Sequence, residues 1–160
     1  MVQGTPGFPP CTATACMELL EYYQVELQGR NVVMVGAGVT VGMPTAILLM
    51  NRGATVSVCN IYTDPHRLVE LCRGADIIIS AAGKAGLIGR DHMAPGQVIV
   101  DVGLSPGEDG RLHGDVDFQA AEPIVAAITP VPGGVGAVTS TVLAAHTVQA
   151  ALRGRGLDGI

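Results

Sequence analysis

A glycine-rich turn after a short apolar segment places the strongest constraint on the fold of this chain. Residues 31–36 read NVVMVG, and residues 37–42 continue as AGVTVG. An apolar run that ends at glycine predicts a buried strand, and Pro44 suits the first turn of a helix that begins near Thr40. Backbone N–H groups at such a strand-to-helix turn can bind a pyrophosphate. The turn therefore predicts a phosphate site formed by Gly36, Ala37, Gly38, Val39 and Thr40.

The same glycines could also form a turn that binds nothing. Their spacing, G-x-G-x-x-x-G, is one residue longer than the commonest dinucleotide fingerprint. We favour the phosphate site because the turn lies between a predicted strand and a predicted helix, which is the context that this fingerprint requires.

Strand and helix patterns alternate along the whole chain. The predicted helices are residues 12–23, 40–50, 64–71 and 139–152, and the predicted strands are residues 31–36, 54–59, 76–80, 97–102 and a short segment within 124–129. Thr12 or Thr14 can cap the first helix, and Asp64 can cap the third. The alternation predicts an α/β fold, a Rossmann-type parallel sheet of about five strands with helices on both faces. The 160 residues suit one domain, 1–160, in which residues 153–160 are expected to fray.

Composition narrows the classes of function. A net charge of −5 with only nine basic residues argues against nucleic acid as a partner. The four cysteines form no C-x-x-C pair, so we expect free thiols in a reducing cytoplasm. The histidines show no metal-ligand spacing, and Asp115 and Asp117 form no obvious acid/base pair, so neither a metal site nor a catalytic residue is predicted. No signal peptide and no apolar run of bilayer-spanning length is found, so no membrane partner is expected.

Two further turns with glycine follow predicted strand ends, Ala81-Ala82-Gly83-Lys84 and Asp101-Val102-Gly103. Ligands of open α/β folds bind at the carboxyl ends of the strands, so both turns are candidates for contact with a cofactor. Lys84 is equally well explained as an exposed loop cation. Asp101 could be a buried acceptor of hydrogen bonds from a loop.

The residues after the second predicted strand leave the choice of cofactor open. An NAD site usually has an acidic residue at this point, and an NADP site has an arginine nearby. Here the strand is followed by Asn60 and Ile61, Asp64 lies several residues on, and Arg67 fits better as a solvated helix side chain. The predicted cofactor is therefore NADP or NAD, without a choice between them.

A rigid loop precedes the last predicted helix. Residues 129–136 read TPVPGGVG, in which two prolines restrict the backbone and three glycines let it bend. The loop could be a simple connection between two elements. We favour contact with a flat ligand, because so apolar and rigid a segment is a poor generic linker.

Six short motifs follow one another in a specific order. They are PCT at 10–12 leading to MELL at 17–20, VG-x-P at 41–44, ADI at 75–77, VDVG at 100–103, GDVDF at 114–118 and ITPVPGGVG at 128–136. In this order they resemble the C-terminal half of the bifunctional methylenetetrahydrofolate dehydrogenase/methenyltetrahydrofolate cyclohydrolase family, the FolD type. The resemblance spans residues 7–152, and its last two motifs together are highly specific.

The resemblance implies an activity and a division of the site. Family members transfer a hydride from 5,10-methylenetetrahydrofolate to NADP or NAD and then hydrolyse the methenyl product to 10-formyltetrahydrofolate, in a cleft between two domains. This half would bind the cofactor, with the glycine turn on its phosphates. The cofactor residues implied beyond that turn are Ala82, Gly83, Val102 and Thr141, and the residues implied to face the folate are Pro132, Gly133 and Gly134.

Several positions depart from the family pattern. The family usually has Arg-Ser where Ala37 and Gly38 stand, and His-Ser where Asn60 and Ile61 stand. The arginine and the second serine help to hold the 2′-phosphate of NADP, so the resemblance does not decide between NADP and NAD. Other departures are Ala13-Thr14-Ala15 for the usual Pro-x-Gly, Ala137 for a proline and His146 for an asparagine.

The family's catalytic lysine lies in a Y-x-x-x-K segment of its N-terminal half. The single lysine here, Lys84, has no tyrosine four residues before it. The resemblance therefore implies a fragment or a shortened relative without the N-terminal catalytic domain, inactive alone and able to act on tetrahydrofolate only when that domain completes it. The first and last helices would then expose apolar residues, predicting a homodimer, other self-association or a missing partner. The residues expected to be exposed are Met17, Leu20, Val142 and Val148.

Two other interpretations stay open at this point. The chain could be a nucleotide-binding module without catalysis, or a different Rossmann oxidoreductase related to shikimate or amino-acid dehydrogenases. The GDVDF and PVPGG segments argue against the second of these.

Overall fold

A computed structural model describes residues 7–107 and 110–156 of the chain. Its helices are α1 (Cys11–Tyr22), α2 (Gly42–Asn51), α3 (Pro65–Arg73), α4 (Phe118–Ala121) and α5 (Val135–Gly154). Its strands are β1 (Asn31–Val35), β2 (Thr55–Cys59), β3 (Ile77–Ser80), β4 (Val98–Asp101), β5 (Ser105–Pro106), β6 (Leu112–His113) and β7 (Ala127–Ile128). A 3₁₀ turn covers Arg90–His92.

Five of the strands form one parallel sheet in the order β2-β1-β3-β4-β7. Side chains alternate between the two faces of a strand, so consecutive residues enter different cores. Ile77 and Ile79 pack with α1, α2 and α5, whereas Ile78 packs with α3 and α4 on the opposite face. The prediction of a five-stranded parallel sheet with helices on both faces is confirmed.

The order of the strands creates a crevice at one edge of the sheet. From β1 the chain passes through α2 to β2, and then crosses back through α3 to β3 on the other side of β1. Between β1 and β3 the direction of winding reverses, and α2 and α3 lie on opposite faces. In open α/β sheets such a reversal leaves room for a ligand outside the carboxyl ends of the strands.

The ends of the helices test the predicted caps. Asp64 caps α3 as predicted, accepting hydrogen bonds from the N–H groups of His66 and Arg67. The prediction that Thr12 or Thr14 caps α1 is wrong, because the helix begins one residue earlier and Pro10 occupies the N-cap position without a side-chain hydrogen bond. Proline suits this end of a helix because its fixed φ fits the turn and its missing N–H is not needed there.

α5 is longer at both ends than predicted. It takes in Val135 and Gly136 from the predicted loop, and it runs on through Gly154, so that Arg153 and Gly154 are helical rather than frayed. Residues 157–160 of the predicted tail, and residues 1–6 of the segment in which no leader was found, lie outside the described residues. By length and composition alone, α5 could cross a membrane, whereas the sequence predicted no segment of that kind. Core helices of soluble proteins meet the same criteria of length and composition.

The predicted apolar patch on α1 and α5 is only partly correct. Leu20 is 1% exposed and Met17 and Val142 are each 8% exposed, because α1 and α5 pack against each other and against the sheet. Their exposure was therefore wrongly predicted. Val148, at 60%, is exposed as expected.

The four cysteines are free, and three of them are buried. Burial raises the pKa of the Cys16 and Cys72 thiols to about 12, and it raises the pKa of Cys59 in the same way. A thiol must ionise to react as a nucleophile, so these three side chains behave as small apolar packing residues. Cys11 is partly exposed, and its Sγ lies 3.7 Å from His146 Nδ1.

Candidate dinucleotide site

The glycine turn forms the corner between β1 and α2. Gly36 has φ +100°, which favours glycine, and its N–H donates to the carbonyl of Cys59 at the end of β2. A Cβ at Gly36 would collide with the backbone carbonyl of Ala81 after β3, and one at Gly42 would collide with the carbonyl of Gly36. These two glycines let three strand ends and the start of α2 come together.

Gly38 differs from the other two glycines because it faces open space. A Cβ built there meets no atom within 4 Å, and the next residue, Val39, is 86% exposed. Within the described residues no side chain caps α2, whose N-cap residue is Val41. The corner thus offers an exposed backbone turn and the positive end of a ten-residue helix, which together suit an anion such as a pyrophosphate.

The turn after β2 is a tight, neutral structure. The Asn60 side-chain oxygen accepts from the Tyr62 N–H at 2.9 Å, and the Thr63 hydroxyl oxygen accepts from the Asn60 N–H at 2.9 Å. Ile61 and Tyr62 are 90% and 92% exposed. These two side chains form an uncharged surface beside the glycine corner, of the kind on which a nucleoside can lie.

The charges next to this turn are already engaged. The Asp64 carboxylate accepts from the N–H groups of His66 and Arg67 at 2.9 and 3.1 Å, so it closes the N-terminal end of α3. The Arg67 guanidinium in turn pairs with Glu70 at 3.0 Å on the exposed face of the same helix. Arg67 therefore behaves as the solvated helix side chain that its position in the sequence suggests.

A buried carboxylate holds the turn after β3. Asp115, 0% exposed, accepts a hydrogen bond from the Ser80 hydroxyl at 2.9 Å. It also accepts from the backbone N–H groups of Ala82 at 2.6 Å, Gly83 at 3.3 Å and Lys84 at 2.8 Å. These bonds compensate the cost of burying a charge, and they fix the backbone of residues 82–84. This role of Asp115 was not predicted from the sequence.

Asp101 at the end of β4 fixes the segment that carries Asp115. Its Oδ1 accepts from the N–H groups of Gly103 and Asp115 at 2.9 and 3.0 Å, and its Oδ2 accepts from Val116 at 2.9 Å. Burial raises the pKa of the Asp101 carboxyl, the three backbone N–H groups oppose that rise, and the charge of Asp115 adds to it. The prediction of a buried acceptor for loop hydrogen bonds is confirmed.

The proline-glycine loop closes the site on the side of β4. The Asp101 N–H donates to the hydroxyl of Thr129, the first residue of the loop, at 2.8 Å. Pro132, Gly133 and Gly134 line a cavity of about 400 Å³ together with Val102. This cavity also touches the first turns of α1 and α5, through Thr12 and Thr139 among others, so it lies where a flat second ligand could meet the cofactor.

The structure brings most of the predicted cofactor residues to one edge of the sheet. The turns with Gly36–Thr40, Asn60–Ile61, Ala82–Gly83 and Val102 directly follow β1, β2, β3 and β4. Thr141 lies apart on the exposed side of α5, where its hydroxyl approaches the carbonyl of Ala137 at 3.4 Å, and its contact with the cofactor remains a prediction. The Lys84 side chain is exposed, and only its N–H takes part in the network.

A parallel sheet with a winding reversal, and a bare glycine corner at that reversal, define a Rossmann-type dinucleotide-binding domain. Comparison with known proteins identifies the family. Residues 10–155 match the family described as tetrahydrofolate dehydrogenase/cyclohydrolase, NAD(P)-binding domain. The chain belongs to this family, and it carries the NAD(P)-binding domain.

Individual relatives agree with this assignment. The bifunctional protein FolD of Carboxydothermus hydrogenoformans is 50% identical over 146 residues, which are 90% of this chain and 50% of that protein. The crystal structure of the bifunctional FolD enzyme of Campylobacter jejuni is 45% identical with a TM-score of 0.89, covering 92% of this chain and 51% of that one. The Trypanosoma brucei enzyme, solved in complex with NADP and an inhibitor, is 42% identical with a TM-score of 0.86, covering 92% and 52%. The chain thus spans about half the length of the relatives it matches.

Proposed function

We propose that this chain binds NAD(P) and supplies the cofactor half of a methylenetetrahydrofolate dehydrogenase/cyclohydrolase. The observation that carries the proposal is the open corner at Gly38, where an exposed backbone turn leads into α2, which no side chain of the described residues caps. The pyrophosphate would lie on Gly36–Thr40, with the adenosine toward Asn60 and Ile61. The nicotinamide half would then extend over the ends of β3 and β4, beside Ala82, Gly83 and Val102.

The reaction would take place above β4. Ala82, Gly83 and Val102 would hold the nicotinamide ring, which would supply a hydride acceptor for the methylene carbon of the folate. Water would then hydrolyse the resulting methenyl group to the 10-formyl product. The loop Pro132–Gly134 would orient the folate against the ring and exclude water from the hydride path. No catalytic residue is assigned to this chain, because its single lysine follows Ser80 by four residues rather than a tyrosine. We propose that the proton-transfer lysine comes from an N-terminal domain, and that the chain alone is inactive.

Calorimetric titration and a complementation assay test this function. We expect the 160-residue chain to bind NAD or NADP with a 1:1 stoichiometry. We expect it to oxidise methylenetetrahydrofolate only when the separately produced N-terminal half of a FolD relative is added. Cofactor binding with no activity in the mixture would favour a non-catalytic nucleotide-binding module, and reduction of another carbonyl substrate would favour a different oxidoreductase. Absence of binding to both cofactors would contradict the proposal.

We infer further that the chain prefers NAD to NADP. The 2′-phosphate of NADP carries a charge of about −1.5 to −2, the value typical of a phosphate monoester near neutral pH. The turn at residues 60–63 holds no basic residue to meet it, and the nearest carboxylate, Asp64, occupies the N-terminal end of α3. The 2′-hydroxyl of NAD needs no such counter-charge.

We propose self-association through the exposed apolar side of α5. Val148 and Leu152, one helical turn apart and therefore on the same face of α5, are 60% and 36% exposed. An apolar surface of this kind usually marks an interface. Sedimentation equilibrium is expected to show a dimer that dissociates in the double variant Val148→Glu/Leu152→Glu, while Tyr62→Glu, at a more exposed position after β2, leaves it intact. A wild-type chain that stays monomeric at high concentration would contradict this proposal.

The proposed location is cytoplasmic. The four free cysteines support it, because a reducing compartment keeps such thiols unpaired.

A further inference from the structure

The turn after β3 has an unusual hydrogen-bond arrangement for a loop at a nucleotide site. Three consecutive N–H groups, those of Ala82, Gly83 and Lys84, all donate to the single carboxylate of Asp115. Asp115 lies more than thirty positions further along the sequence, is fully buried, and is itself held through its N–H by Asp101. The N–H side of this turn therefore faces into the protein.

The orientation of the carbonyl groups follows from the planarity of the peptide bond. In a trans peptide the C=O of one residue points opposite to the N–H of the next. With the three N–H groups turned toward Asp115, the carbonyls of Ala81, Ala82 and Gly83 point away from it. The carbonyl of Ala81 lies against Gly36, since it is the atom that a Cβ there would meet, so the carbonyls of Ala82 and Gly83 are the ones left for a ligand.

This orientation assigns a different chemistry to each half of the site. The glycine corner offers N–H groups, which bind phosphate oxygens. The turn at residues 82–84 has its N–H groups occupied and offers carbonyl oxygens on an exposed segment, which can accept hydrogen bonds from hydroxyl or amide N–H groups. The part of a dinucleotide that lies beyond the pyrophosphate, toward β3 and β4, carries such donors in its ribose hydroxyls and its carboxamide.

Two glycines pack closely against the carboxylates of Asp115 and Asp101. A Cβ at Gly103 would collide with the Asp115 carboxylate, and a Cβ at Gly114 would collide with the carboxylate of Asp101. Side chains at either position would push Asp115 away from the turn. The two glycines thus leave room for the Asp115 carboxylate in one position only.

We propose that Asp115 is a positioning residue that turns the backbone of residues 82–84 so that the carbonyls of Ala82 and Gly83 receive the nicotinamide half of the cofactor. This role rests on the proposed binding of NAD(P). In Asp115→Asn one acceptor oxygen becomes an NH₂ group, which cannot accept from the N–H groups that face it. The N–H groups that face this NH₂ group would then lose their acceptor, and the turn would rotate to find another.

The test compares a whole dinucleotide with its adenosine half. ADP engages the glycine corner and the turn after β2, but it has no nicotinamide ribose to reach residues 82–84. In Asp115→Asn we expect the Kd for NAD, measured by calorimetry, to rise at least about tenfold, while the Kd for ADP stays within about twofold. The matched control is Asp117→Asn, an exposed carboxylate two residues on that caps α4, where asparagine also caps; it should leave both values unchanged.

The positioning role of Asp115 predicts a loss of affinity for NAD alone. An equal loss of ADP and NAD affinity, or no change in either, would overturn the positioning role. Should Asp115→Asn not fold, as judged by its thermal transition, Ser80→Ala takes its place, because it removes one hydrogen bond from Asp115 and keeps the charge. That variant should weaken NAD about threefold and ADP not at all, and an unchanged Kd for NAD would overturn the proposal. A wild-type chain that binds neither ligand would overturn the proposed function and this role with it.

Discussion

Gly38→Asp is expected to abolish cofactor binding while leaving the fold intact. The site at Gly38 is open, and its φ lies outside the left-handed region, so an aspartate side chain fits without strain. Its carboxylate would stand at the start of α2, where a negative charge stabilises the helix. The same charge would lie against the pyrophosphate, and a repulsion of about 4 kcal/mol at about 4 Å raises the Kd at least about a hundredfold.

Two control variants test whether the loss of affinity comes from the charge rather than the size of the new side chain, and from its position at Gly38. Gly38→Asn introduces a side chain of the same size without the charge, and it should cost much less affinity than Gly38→Asp. Gly89→Asp adds the same charge at another open glycine, which lies just before the 3₁₀ turn, and it should leave the Kd unchanged. The measurements are calorimetric titration with NAD and a thermal melt of each variant. Full binding by Gly38→Asp would mean that the phosphates lie elsewhere.

The sheet could be predicted from the sequence because its signals are local. Each central strand is an apolar run rich in Val and Ile with a turn at its end. Asp64-Pro65 predicts the start of α3, because aspartate is a common N-cap and proline suits the first helical position. The glycine corner was predictable for the same reason, since a strand, a glycine turn and a helix lie within twelve residues of one another, 31–42.

The buried carboxylates could not be predicted in full because their partners are distant in sequence. Asp101 contacts its own turn at Gly103, and that local bond made an acceptor role foreseeable. Asp115 instead bonds to residues more than thirty positions away, so only the sheet order brings them together. The wrong prediction that Met17 and Leu20 are exposed has the same origin. The sequence of α1 does not show that α5, far along the chain, packs against it.

NADP is expected to bind at least about tenfold more weakly than NAD. A charge-assisted hydrogen bond contributes about 1.5–3 kcal/mol, and the 2′-phosphate would find no basic partner in residues 60–63. Asp64 adds repulsion, although its exposed position limits this to about 1 kcal/mol at about 4 Å in water. Asp64→Asn keeps a residue that can cap α3 and removes the charge, so it should improve NADP affinity about fivefold and leave NAD unchanged.

Two measurements test whether the preference for NAD over NADP is electrostatic: its dependence on ionic strength, and its value in a matched control variant. Raising the ionic strength from about 0.01 M to about 1 M shortens the Debye length from about 30 Å to about 3 Å, so the difference between NAD and NADP should narrow. Asp91→Asn removes an equal charge from the exposed 3₁₀ turn before β4 and should not alter the ratio of the two Kd values. Tighter binding of NADP than of NAD by the wild-type chain would show that a basic side chain reaches the 2′-phosphate, and Arg67, released from Glu70, is the residue whose replacement by alanine would then remove that preference.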